Sequence, residues 1–305
     1  MRRIDEPKIL VVDDEPDVLS VTRLAIKSLR HEGKKVEMLT ATSGAEGVAL
    51  ARLNPDVAVV LLDVVMETDH AGLEACRAIR AENPFVRILL RTGQPGMAPE
   101  RETIDEYDID GYLPKAELGS DRLYVAVRTA LRAWKQLVEL ERHRRVLAAV
   151  HECSVSLRSF ESLQVSLERV LTAAVLICPS QLAVLDLETF DADGDARRLT
   201  LRLAPEIDEV QAEAAASAIA SRLAQDTEAQ SRTIAGAWED GYLVPLTLHR
   251  QLGRGYLYLA GVEAGELEAQ ALPLLASHAQ NTLYSAVAEQ ILKAEKGPVF
   301  EEMSV

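Results

Sequence analysis

The chain has 305 residues, 48% hydrophobic and 27% charged, an ordinary balance for packed domains. That length favours two domains and excludes a collagen-like, wholly disordered or disulfide-stapled chain. The net charge of −15 lacks the basic footprint of a duplex-binding surface, so no nucleic-acid partner is expected.

The N-terminus, MRRIDEPKILVVDDEP, carries no apolar stretch before its first acids, so no signal peptide is expected. The runs VAVVLL (57–62) and LTAAVLIC (171–178) fall short of the ~20 residues of a membrane span. Cys76, Cys153 and Cys178 are widely spaced, form no CxxC pair, and read as free thiols. A soluble cytoplasmic protein without a membrane partner is expected.

Over the first 120 residues, short β-branched runs alternate with segments of helical spacing. Strands are expected at Ile9–Val12, Val36–Thr40, Val57–Leu62 and Val86–Leu90, with a weaker fifth near Gly111–Leu113. Helical spacing joins Val18, Val21, Leu24, Ala25 and Leu29. The alternation implies βαβ units and an α/β doubly wound, parallel five-stranded sheet of the flavodoxin-like kind.

From Ser120 to about Leu157 there is no proline or glycine, and Ser120 is a plausible N-cap. Apolar residues recur at Leu123, Val127, Ala130, Trp134 and Leu137, then at Leu140, Leu147, Val150, Cys153 and Leu157. One long helix, or two in series, is expected. It either joins a second copy, giving a homodimer through 120–157, or packs on its own second domain. Trp134 is expected to face a helix partner, and Trp238 a core.

The remainder reads α-β-β-α-β-β-β-α. Helices are expected at Ser159–Ile177, Glu206–Ala224 and from Glu266 to about Glu295. Strands are expected at Leu182–Leu187, Leu199–Leu203, Ser231–Trp238, Tyr242–His249 and Gly255–Ala260, with Pro245 marking an edge or bulge. Residues 296–305 read as a tail.

The chemistry concentrates at strand ends. Asp13-Asp14-Glu15 follows the first strand, Asp63 ends the third, Thr92-Gly93 ends the fourth, and Lys115 follows the fifth. In a parallel sheet these ends share one edge, where ligands bind. Crowded carboxylates resist ionisation, and Mg2+, which takes oxygen ligands, relieves that repulsion. A carboxylate can act as nucleophile to give an aspartyl phosphate, with lysine and metal neutralising the transferred group.

With ILVVDDEPDVL, VVLLDVVM, ILLRTG and GYLPK in this order, residues 6 to about 135 resemble a response-regulator receiver domain. The resemblance makes Asp63 the phosphoacceptor. It implies Mg2+ at Asp13, Asp14, Asp63 and the Val65 carbonyl, and a phosphoryl site at Thr92, Gly93 and Lys115. Thr92 and Tyr112 become the switch pair. A sensor histidine kinase or phosphotransfer protein becomes the partner. Glu67 stands where receivers usually carry proline, and as an added charge near the acceptor it would slow phosphorylation. Ala116 likewise replaces a proline.

The string VPLTLHRQLGRGYLYLAG before a long terminal helix resembles a GAF domain. Together with VVMETDHAGL and RTGQPG…PERETI, it resembles response regulators in which a GAF-like domain follows the receiver. That group often continues into an HD-GYP cyclic-di-GMP phosphodiesterase or another output domain. Neither an HD-GYP nor a GGDEF motif is visible, so no enzyme is expected beyond the receiver's own phosphorylation and dephosphorylation. The implied organisation is a receiver over 1–135, a helical linker over 136–158, a GAF-like domain over 159–295 and a tail. The implied function is a two-component switch whose output is dimerisation or partner binding. The alternatives are a ligand-sensing GAF protein with a quiescent receiver, and a regulatory partner of a cyclic-di-GMP enzyme on another chain. His70, in the loop after the acceptor, is a candidate site neighbour. His143 and His151 are expected to be solvated.

Overall fold

The computed structural model describes residues 6–93, 106–115, 119–156, 163–190, 196–246 and 254–295. The chain divides into two compact units, Arg2–Glu141 and Arg142–Val305. Leu157, Ala116, His249 and the tail 296–305 lie outside the described residues.

In the first unit, β1 (Lys8–Val12), β4 (Glu37–Ala41), β5 (Val57–Asp63), β6 (Arg87–Thr92) and β7 (Gly111–Pro114) form one sheet in the order β4-β1-β5-β6-β7. Every pairing is parallel. This is the doubly wound sheet expected from the alternating texture. β5 is buried along its whole length, which explains its unbroken apolar run. Its side chains alternate between two cores. Val60 and Leu62 pack with α3 (Ala71–Glu82) and the apolar face of α2 (Gly44–Leu53). Val59 and Leu61 pack with Leu123, Val127, Ala130 and Trp134 of α4 (Ser120–Ser156). Helix α1 (Pro16–Ala25) follows β1 directly.

A hairpin not expected from the local pattern follows α1. β2 (Arg30–His31) and β3 (Lys34–Lys35) pair across Glu32 and Gly33, whose φ values are 49° and 83°. Two positive φ angles make the turn that matches strand twist, and glycine takes the second without strain. Lys135 Nζ of α4 lies 2.7 Å from Glu32 Oε1, and the His31 and Trp134 rings meet edge-on at 6.3 Å.

Helix α4 is one helix. Its first amide pairing runs from Leu123 N to Gly119 O at 3.1 Å, so Ser120 begins the helix rather than capping it. Trp134 is 3% exposed and packs in its own unit, correcting the expectation that it faces a helix partner. It shares one helix face with Leu123, Val127 and Ala130, and that whole face is core.

In the second unit, β8 (Leu182–Phe190), β9 (Ala196–Leu203), β10 (Gly236–Trp238), β11 (Gly241–Leu246) and β12 (Arg254–Ala260) form an antiparallel sheet in the order β10-β11-β12-β8-β9. Side chains alternate here too. Ala183, Leu185 and Leu187 pack with α5 (Leu163–Ile177), α8 (Glu266–Glu295) and Val146, Ala149 and Cys153 of α4. Leu182 and Val184 face α6 (Glu209–Gln225) and α7 (Thr227–Ser231) with Trp238. Helices thus cover both faces.

The expected strand Ser231–Trp238 shrinks to Gly236–Trp238, because Asp226 caps α7 by accepting from Glu228 N and Ala229 N at 2.9 and 3.0 Å. The same carboxylate accepts Trp238 Nε1 at 2.8 Å. β11 is an interior strand, yet its pairing with β10 stops at Leu243, so Pro245 lies beyond it. The missing N–H therefore interrupts no pairing with β10. Cys76 is buried in the first unit, and Cys153 and Cys178 in the second. No helix among the described residues is long and apolar enough to cross a membrane.

Candidate functional site: a carboxylate cluster at the sheet edge

Asp13 and Asp14 leave β1, Asp63 ends β5, Thr92 ends β6, and Lys115 follows β7. The parallel sheet brings them to one edge. Asp13 is 1% exposed and Asp63 4%, whereas Asp14 is open to solvent. One oxygen from each carboxylate lies within 4.8 Å of the others.

Lys115 ties the cluster together. Its Nζ is 2.8 Å from Asp63 Oδ2, 2.9 Å from Glu15 Oε1, and 3.3 Å from Asp13 Oδ1. Burial alone would push the ammonium down, but its bonds to Asp63, Glu15 and Asp13 hold it above its usual range. Burial likewise pushes the Asp63 carboxyl up; Lys115 pulls it down, and the Asp13 charge raises it. Lys115 holds Glu15 below its ordinary value. Glu15 is thus a third partner of the lysine that sequence reasoning left without a role. Its position directly after Asp13-Asp14 was the available signal.

Local backbone fixes the acids. Asp13 Oδ1 accepts from Glu15 N at 3.1 Å, and Asp63 Oδ1 from Val64 N at 2.8 Å. Asp13 Oδ2 is buried and accepts no hydrogen bond, although Lys115 Nζ lies 3.1 Å away. A buried carboxylate oxygen left over, in an all-oxygen donor set, suits a hard divalent cation such as Mg2+. Gly72 closes the floor: its N donates to Val64 O at 3.1 Å, and a Cβ would sit 1.9 Å from Asp63 O. Only glycine lets α3 approach the end of β5 so closely.

Thr92 is 1% exposed at the end of β6, and Gly93 follows on the surface. Among the described residues, a Cβ on Gly93 would meet only Lys115 Cδ, at 4.0 Å. Val65 is half-buried in the loop after Asp63. Tyr112 lies inside the core with Cys76 and Val64. Glu67, four residues after Asp63, has its carboxylate accepting from Gly44 N at 3.0 Å, at the start of α2. His70 is exposed before α3 and makes no capping bond there.

Residues 9–128 match the family model described as the response regulator receiver domain. The chain is 40% identical over 158 residues to a Vibrio cholerae protein named 3'3'-cGAMP-specific phosphodiesterase 2, covering 51% of this chain and 30% of that protein. It is 41% identical over 97 residues to a Mycobacterium tuberculosis protein named probable transcriptional regulatory protein TcrX, covering 31% and 38% respectively. The matches thus span about a third of each curated relative. Among solved structures, a receiver domain from Clostridium thermocellum is 27% identical, covers 43% of this chain and 98% of that one, and superposes with a TM-score of 0.37. With the parallel sheet, the buried acids at its edge and the family match in place, the first unit of this chain is a response regulator receiver domain.

Proposed function

We propose that the chain is a phosphorylation switch in which Asp63 takes a phosphoryl group from a sensor histidine kinase or phosphotransfer protein. An Asp63 oxygen attacks phosphorus, the bond from phosphorus to the donor nitrogen breaks, and the histidine leaves with its electron pair and takes up a proton. Mg2+ held by Asp13, Asp14, Asp63 and the Val65 carbonyl would neutralise charge on the transferred group. Lys115 and Thr92 hold the phosphoryl oxygens, Gly93 leaves room beside them, and Tyr112 responds to the movement of Thr92. The observation that carries this reading is the Lys115–Asp63 ion pair at 2.8 Å, set among three carboxylates.

The proposed organisation is a receiver over 1–135, a helical linker over 136–158, a GAF-like domain over 159–295 and a tail over 296–305. An antiparallel sheet covered by helices on both faces supports the GAF-like assignment. The proposed output is self-association or partner binding in the cytoplasm. Leu140 and Leu147, 66% and 68% exposed on α4, share one helix face and support pairing with a second copy. A second reading, a regulatory partner of a cyclic-dinucleotide enzyme, rests on the 40% identity to the Vibrio cholerae protein.

Light scattering after size exclusion, with Mg2+ and with or without beryllofluoride, tests the switch. A change in mass or shape that Asp63→Asn abolishes is expected. Acetyl phosphate failing to label Asp63 would overturn the reading.

A further inference from the structure

Arg91 is a charged side chain that the switch chemistry leaves unused. It stands beside Asp63 in the β5–β6 register, and its carbonyl accepts Val64 N at 3.0 Å. The residue is only 6% exposed. Its Nη1 donates to Thr22 Oγ1 at 2.8 Å, and Thr22 is fully buried on α1, the helix that follows the acid loop. Its Nε is buried without a hydrogen-bond partner. No carboxylate among the described residues forms an ion pair with it.

A buried cation with no carboxylate in contact needs charge at longer range. Burial lowers the guanidinium's pKa, and the charges acting against that shift belong to Asp13, Asp63 and Glu15. All three are on the site. A guanidinium stays protonated through any such shift. The edge therefore carries four acids, Asp13, Asp14, Glu15 and Asp63, against two cations, Lys115 on the open side and Arg91 within the fold.

We propose that Arg91 is a built-in counter-charge for this edge, setting how much of its negative charge is left for a divalent cation and how much more a phosphoryl group can add. It does so from a distance, while its side chain donates to Thr22. The proposal rests on the phosphoryl-transfer reading for its second half only. The two consequences have opposite signs. Removing the charge makes the edge more negative, so Mg2+ binds more tightly. The same loss leaves an incoming phosphoryl group less well compensated, so Asp63 is phosphorylated more slowly at saturating Mg2+.

The test compares Arg91→Gln, which keeps a donor for Thr22, with Arg91→Lys, which keeps the charge, and Thr22→Val, which removes only the hydrogen bond. Mg2+ affinity is read by calorimetry on the metal-free full chain, and phosphorylation by acetyl phosphate labelling at saturating Mg2+. Arg91→Gln is expected to tighten Mg2+ and slow labelling, each by roughly three- to tenfold. Arg91→Lys and Thr22→Val are expected to stay near wild type in both. If Arg91→Gln does not fold, Arg91→Met provides the neutral side chain. Loss of both properties together in the neutral variant, or the same change in Arg91→Lys, would overturn the proposal. Wild-type protein that binds Mg2+ but takes no phosphoryl group would instead sink the phosphoryl-transfer reading, and the calorimetric arm would still decide the role of Arg91.

Discussion

Asp13 and Asp63 lie buried side by side, with one ammonium bonded to both. Burial raises the Asp63 pKa, so the folded state holds that proton more tightly than the unfolded chain does. Stability linked to this group is therefore present at low pH and lost as pH rises through the carboxylate range. Metal-free Asp63→Asn is expected to melt a few degrees above wild type at neutral pH. The gap should close as pH falls below that range. Melting curves in chelator across pH check this. Glu67 belongs at the same scale. As a residue in a sequence it is a charge four places from the acceptor; in the fold its carboxylate accepts from the Gly44 amide at the start of α2, where a negative charge is favourable. Glu67→Ala should cost about 1 kcal/mol, the usual net worth of a hydrogen bond, and leave the rate of Asp63 phosphorylation little changed. Urea unfolding and acetyl phosphate labelling measure the two effects. Glu67 thus ties the loop after β5 to the start of α2.

At the scale of elements, the strands and the reactive edge were legible because each strand has a strong local pattern and a polar residue at its end. Asp13, Asp63, Thr92 and Lys115 fall where a parallel sheet must gather them. What local pattern does not carry is the destination of a face. The spacing of Leu123, Val127 and Trp134 marks an apolar stripe, but only packing shows that it covers the sheet rather than another chain. The strand at Ser231 failed for a similar reason, since Asp226 nucleates a short helix that composition does not announce. Arg91 and Glu67 were visible as letters but not as partners, because Thr22 and Gly44 are distant in sequence. The junction of β5 with α3 offers a direct test. Gly72→Ala would drive a methyl into the Asp63 carbonyl, so α3 must shift. A loss of about 1–3 kcal/mol, the common range for overpacking, and a distorted acceptor are expected. Urea unfolding with labelling by acetyl phosphate checks both.

At the scale of the whole molecule, the chain passes from the first unit to the second between Glu141 and Arg142, inside the range of α4. Immediately past that point Arg142 pairs with Glu268 in the first turn of α8. Glu268 is 4% exposed, and its second oxygen has no hydrogen-bond partner. Arg142→Ala leaves a buried carboxylate without its counter-ion, which should cost about 1–3 kcal/mol. The penalty should fall on the second unit alone. Calorimetry is expected to show the transition of that unit moving down while the receiver transition stays in place.

The three cysteines extend this division of labour. Each is buried, and burial pushes each thiol up to about 11. Thiolates are the reactive form, so near neutral pH none of the three is open to alkylation while its unit stays closed. Cys76 reports on one unit, Cys153 and Cys178 on the other. The protein therefore carries its own clocks. Pulse alkylation followed by peptide mass mapping would time the opening of each half separately, without an added probe, and phosphorylating one half would show directly whether the other half's clock changes speed.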